Sequence, residues 1–133
     1  MPYKDTSADW FFLAQSDLTA AERLYEEKLY HLVCFHAHQA IEKTLKGMLL
    51  RAQLSIAKSH DLSMLLKKAQ KAALTRLPSE QDVVFVNRFY IPTRYPDTFP
   101  GALPEGLPQE DDAHRALTIA HAFIREKDKR IEM

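Results

Sequence analysis

YHLVCFHAHQAIEKTLKGMLLR, residues 30–51, is the stretch from which the fold is read. Val33, Ala37, Ala40, Ile41, Thr44, Leu45, Met48 and Ala52 recur at the three-and-four spacing of an α-helix. They predict a helix from about Tyr30 to Arg51 with one continuous core stripe. The opposite side carries Leu32, Phe35, His36, Gln39, Glu42, Lys43, Lys46 and Leu50. A solvated face would not hold Leu32, Phe35 and Leu50. The helix is therefore read as packed on both sides, with the second contact partly polar, as at a subunit interface or a groove.

Helical periodicity continues on either side. Trp10, Leu13, Ala14, Asp17, Ala21, Leu24 and Tyr25 predict an amphipathic helix from about Ser7 to Glu27, with Thr6 or Ser7 as N-cap. After the central helix, Ser59 or Asp61 caps a third, whose stripe is Leu62, Leu65, Leu66, Ala69 and Ala73. Pro78-Ser79-Glu80 opens a short fourth through Val83, Val86, Asn87 and Tyr90, with Ser79 and Asp82 placed as in a capping box and Pro92 as its stop. Pro92, Pro96, Pro100, Pro104 and Pro108 then exclude helix and strand alike. So long a connection in a compact domain is usually functional or mobile. Asp111 and Asp112 favour the start of a last helix through its dipole. Ala113, Ala116, Leu117, Ala120, Phe123, Ile124 and Ile131 form its stripe. No β pattern of useful length and no internal repeat is present. The fold class expected is all-α, an up-and-down bundle of four to five helices without a sheet. It fills residues 1–133 as one domain, with the Pro-rich loop 92–110 before the last helix.

Composition narrows the function classes. With 18 Lys plus Arg against 18 Asp plus Glu, no global field draws the chain to nucleic acid or membrane, so any nucleic-acid site must be a local patch. One cysteine, Cys34, forms no internal disulfide, which fits a reducing compartment, and its apolar helical setting reads as a small buried hydrophobe. The polar start and the lack of an apolar run near 18 residues predict no signal peptide, no membrane span and a cytoplasmic location.

Three segments carry chemistry. The central helix presents Gln39, Glu42, Lys43 and Lys46 beside Phe35. Ser59-His-Asp-Leu62 puts His60 at a helix start, and Ile91-Pro-Thr-Arg-Tyr-Pro-Asp97 presents Arg94, Tyr95 and Asp97 on a Pro-fenced loop. Arg94 and Lys43 or Lys46 suit phosphate, and Tyr95 suits base stacking. Plainer roles exist for each. Arg94 pairs with Asp97 or Glu42 to anchor the loop, Glu42 and Lys46 form an i, i+4 helix-surface pair, and His60 bonds locally to lock its cap. His36, His38 and His60 lack the spacing and carboxylates of a metal site, so no metal and no other cofactor is expected.

The ordered set Trp10…Ala14…Asp17-Leu18…Ala21, Phe35…Gln39-Ala-Ile-Glu-Lys-Thr-Leu-Lys46, His60-Asp-Leu62 and Arg94-Tyr-Pro-Asp97 resembles the HEPN domain, over about Ala8 to Arg125. The resemblance implies a helical bundle that forms a homodimer with a cleft between subunits. It implies two kinds of role. One is a metal-independent ribonuclease, often a toxin of a toxin–antitoxin pair. The other is an accessory partner of a minimal nucleotidyltransferase encoded nearby, with nucleotide or RNA as ligand. Ribonuclease members carry an Arg followed four to six residues later by a His, and some toxins add a Tyr two places on. Here Arg88 and Tyr95 keep that spacing, but Thr93 stands in the His position. Thr93 serves poorly as acid or base. Arg88 is therefore a catalytic residue only if ribonuclease activity remains. The reading preferred is a non-catalytic accessory or toxin-like protein with Arg94, Tyr95, Asp97, Lys43, Lys46, Gln39, Glu42 and His60 in its cleft. By the resemblance, Tyr95 is also a candidate for modification with AMP. The alternatives are a degenerate ribonuclease and a purely structural subunit.

Overall fold

The computed structural model describes residues 5–56, 58–90 and 106–132, with side chains as far as Arg125. The segment 91–105, which holds Arg94, Tyr95 and Asp97, lies outside the described residues. Five helices and no strand are described: α1 Ser7–Glu26, α2 Tyr30–Arg51, α3 Leu62–Lys71, α4 Glu80–Asn87 and α5 Glu110–Glu132. No helix among the described residues is long and apolar enough to cross a membrane.

Helix α2 is the axis of the bundle, in contact with α1, α3, α4 and α5. Its bounds are those the periodicity predicts, but its burial is not confined to one stripe. Val33, Cys34, Ala37, Ala40, Ile41, Thr44, Leu45 and Leu49 are fully buried, and so is His38. Gln39, Glu42 and Lys46 on the second face are buried as well. These three polar residues are thus covered by this chain itself, and the pair Glu42–Lys46 is not at the helix surface, whereas Leu32, Phe35, His36, Lys43 and Leu50 on the same face are half-buried. Ala52, placed in the stripe by its spacing, is exposed because it is the C-cap residue and the helix has ended.

The face that α1 turns inward also differs from the expected one. Ser7, Phe11, Ala14, Leu18 and Ala21 are buried, while Leu13 is exposed and Trp10 only half-buried. Gly47 on α2 accounts for the shift: a β-carbon there would stand 2.5 Å from Cε1 of Phe11. The missing side chain makes the recess that Phe11 occupies, and α1 rotates to fill it. Thr6 takes the N-cap position without a side-chain bond; the Asp5 carboxylate accepts the Ser7 N–H instead, at 2.8 Å.

Three helices end in the same way. Lys28, Gln53 and Ala73 adopt left-handed φ values of 62°, 63° and 61°. The next N–H, from Leu29, Leu54 and Leu74, bonds back to the carbonyls of Leu24, Leu49 and Ala69. This is the Schellman pattern; Leu54 and Leu74 also pack against the core, whereas the Leu29 side chain is exposed. Ala73 is therefore exposed at a helix end rather than part of the α3 stripe.

The N-caps of the shorter helices are residues that their sequences offer, although α4 ends at Asn87, short of the expected Tyr90. Asp61 caps α3, accepting from the Ser63 N–H at 2.9 Å, and Ser79 caps α4, accepting from the Asp82 N–H at 3.1 Å. Asn87 ties the two together: its Oδ1 accepts from Leu62 N–H and its Nδ2 donates to Asp61, both at 3.0 Å. In α5, Ala113, Ala116, Ile119, Ala120, Phe123 and Ile124 face the core, while Leu117 is only half-buried. The expected Ile131 lies beyond the described side chains.

Candidate functional site

Glu42 is the centre of a buried polar cluster. It sits on the second face of α2, only 2% exposed, where an isolated carboxylate would be very costly. One turn on, Lys46 donates from Nζ to Oε2 at 3.0 Å and is itself 5% exposed. Its ammonium also lies 5.6 Å from the centre of the Trp10 ring, which completes its apolar surroundings. The third partner is His60, just before α3, whose Nδ1 stands 3.0–3.1 Å from both Glu42 oxygens. His60 therefore reaches across to α2. Its expected role in the local cap is filled instead by Ser59, which accepts from Asp61 N–H, and by Asp61 itself.

Aromatic rings extend from this cluster. His60 stacks on Tyr90 with centroids 4.7 Å apart and planes 17° apart, and Tyr90 in turn stacks with Phe35 at 6.5 Å. His38 packs on Tyr90 at 5.1 Å. His38 is fully buried; its Nδ1 is 3.8 Å from Glu42 Oε1, and neither ring nitrogen makes a hydrogen bond. Burial pushes its pKa down to about 4, although the Glu42 charge pulls the other way. Gln39 is also buried, and its Nε2 has no hydrogen-bond partner.

A second charged group flanks the first. Asp17 on α1 accepts from Lys43 at 2.5 Å and faces His36 Nδ1 at 2.9 Å. Burial alone would raise the Asp17 pKa, but the bonds from His36 and Lys43 outweigh it and hold the carboxyl below its ordinary value. Lys43 and Lys46 thus each have a carboxylate partner within the chain.

Arg88 belongs to a different set of contacts. At the C-cap of α4, its guanidinium lies over the rings of Phe85 and Phe89, 5.4 and 5.1 Å from their centres. Arg115 of α5 covers Phe85 at 4.0 Å, whereas His121 faces Glu22 at 3.6 Å. Arg115 and His121 stand six residues apart, within the spacing of the ribonuclease motif, but these different partners give them no joint site. Among the described residues no cluster of three or more His, Cys, Asp or Glu is arranged to hold a metal ion.

The structure accordingly gathers Glu42, Lys46 and His60, places Gln39 and Lys43 on the same helix, and puts Arg88 elsewhere. Arg94, Tyr95 and Asp97 lie outside the described residues. Sequence reasoning passed over Tyr90 as a site residue, treating it only as part of the α4 stripe. Its place just before the Pro-fenced segment was the signal available.

A family model described as HEPN domain matches residues 7–130. The chain belongs to the HEPN domain family. Among solved structures, this HEPN chain is similar to TT1696 from Thermus thermophilus, at 30% identity and a TM-score of 0.71, with 93% of this chain and 99% of that one covered. It is also similar to ST0689, an archaeal HEPN homologue, at 29% identity and a TM-score of 0.70, with 94% and 97% covered. No curated protein matches the chain.

Proposed function

We propose that this HEPN protein binds a nucleotide, free or at an RNA end, as a non-catalytic accessory subunit. In this reading it works as a homodimer beside a minimal nucleotidyltransferase. The observation that carries ligand binding is the ladder Phe35–Tyr90–His60, whose last ring is 46% exposed while its supporting carboxylate is buried. Flat rings at a wet edge suit a nucleobase, since each stacked base gains roughly 1–3 kcal/mol. Arg94, Tyr95 and Asp97 lie outside the described residues and enter this reading through the sequence alone, with the Arg94 guanidinium suited to phosphate. Lys43 and Lys46 act in this scheme through Asp17 and Glu42, which they neutralise. The non-catalytic part rests on Thr93, which occupies the position where the ribonuclease motif has its acid–base histidine.

Calorimetric titration with nucleoside mono- and triphosphates tests the reading. Binding is expected, and it weakens in Arg94→Ala and Tyr90→Ala. Light scattering is expected to give the mass of a dimer. Metal-free incubation with RNA is expected to leave it intact. Robust cleavage that disappears in Arg88→Ala would instead establish the ribonuclease alternative.

A further inference from the structure

The cluster around His60 has a fixed hydrogen-bond polarity. An ionised carboxylate only accepts hydrogen bonds, and Lys46 bonded to Glu42 is consistent with the ionised form. His60 Nδ1 faces both oxygens of that carboxylate. Nδ1 must then carry the hydrogen, and the neutral ring is left with a bare lone pair on Nε2. Nδ1 is turned inward and the side chain is nearly half exposed, so the acceptor nitrogen is the one available to a ligand. The imidazole and Tyr90 planes are 17° apart. A flat ligand meeting the Nε2 edge in the imidazole plane therefore runs nearly parallel to the Tyr90 ring.

We infer that His60 Nε2 selects the base: the site takes nucleotides whose base presents an amino group, such as adenine or cytosine, over those with a carbonyl in that place. This rests on the nucleotide-binding reading above and adds the chemical class of the ligand. An amino group donates to the lone pair. A carbonyl oxygen in its place sets two acceptors against each other and loses the hydrogen bond that an amino group makes, which is worth about tenfold in affinity. Glu42 and Lys46 do not touch the ligand; they are positioning residues that set which histidine nitrogen is protonated.

The test measures dissociation constants for AMP against IMP and CMP against UMP. The wild-type chain is expected to prefer AMP and CMP by about tenfold. Glu42→Gln tests the positioning role. Lys46 has only hydrogens to offer, so it holds the oxygen of the new amide, and the NH2 group takes the place of the other oxygen. His60 Nδ1 then faces an acceptor and a donor at nearly equal distance, its tautomer is no longer fixed, and the preference is expected to shrink toward equal affinity. His60→Phe keeps a flat ring on Tyr90 without the nitrogen and is expected to bind amino and carbonyl bases alike. Circular dichroism checks that both variants are folded, and His60→Phe carries the test alone if Glu42→Gln is not. Equal wild-type affinity for AMP and IMP, or a preference that survives His60→Phe, would overturn the inference and leave nucleotide binding standing. No binding of any nucleotide would overturn both.

Discussion

At Glu42 one buried charge holds Lys46 and His60 together, while His38 beside it lies buried with both ring nitrogens unbonded. His38 consequently ties stability to pH. Burial disfavours its charged form, so its folded pKa is about 4 against the ordinary 6.5. The unfolded chain thus takes up this proton first as the solution is acidified. Above pH 6.5 the group is neutral in both states and has no effect. Between 6.5 and 4 the folded state loses ground, by roughly 3 kcal/mol across the window. Urea unfolding of the wild type and of His38→Met as a function of pH should show a steeper loss in the wild type, since the carboxyl of Asp17 contributes in both. Equal slopes in the two proteins would mean that His38 is protonated at its ordinary value when folded.

At the scale of helices, two devices shape the bundle. The first is the Phe11–Gly47 contact that sets the rotation of α1. Gly47→Ala should improve helix propensity by up to about 1 kcal/mol yet force Phe11 from its recess. The overpacking term, about 1–3 kcal/mol, is the larger, so thermal unfolding is expected at a lower temperature. The double variant Gly47→Ala/Phe11→Leu should recover part of the loss. The second device is the trio of helix ends in which Lys28, Gln53 and Ala73 hold left-handed backbone without being glycine. Removing a β-carbon from that conformation relieves strain but adds freedom to the unfolded chain. Ala73→Gly, at an exposed site, should gain about 0.5–1 kcal/mol, readable as a higher denaturant midpoint with unchanged slope.

Over the whole molecule, the helices were legible because apolar spacing and caps are local signals, as at Asp61 and Ser79. The inward face of α1 was not, since it depends on a recess made by Gly47 in another helix. Nor was the end of α3, where Ala73 fits the stripe by its spacing and no glycine marks the stop. For the candidate site, the sequence put Glu42 and Lys46 one turn apart but could not say that they are buried. It also could not bring His60 and Tyr90 together, which takes the packing of α2 with the segments around α3 and α4. Cys34 was read from its neighbours as a buried hydrophobe, and it is fully buried, with burial pushing its thiol up to about 12. It lies on α2, the helix that every other helix touches, so a reagent can reach its sulfur only when the bundle parts. The thiol is a built-in clock for that event. Alkylation by iodoacetamide should proceed no faster than the chain opens, and it should accelerate in Gly47→Ala in step with the lost stability. A disulfide-linked pair on a non-reducing gel would then record chains that had come apart before they joined, not the native assembly.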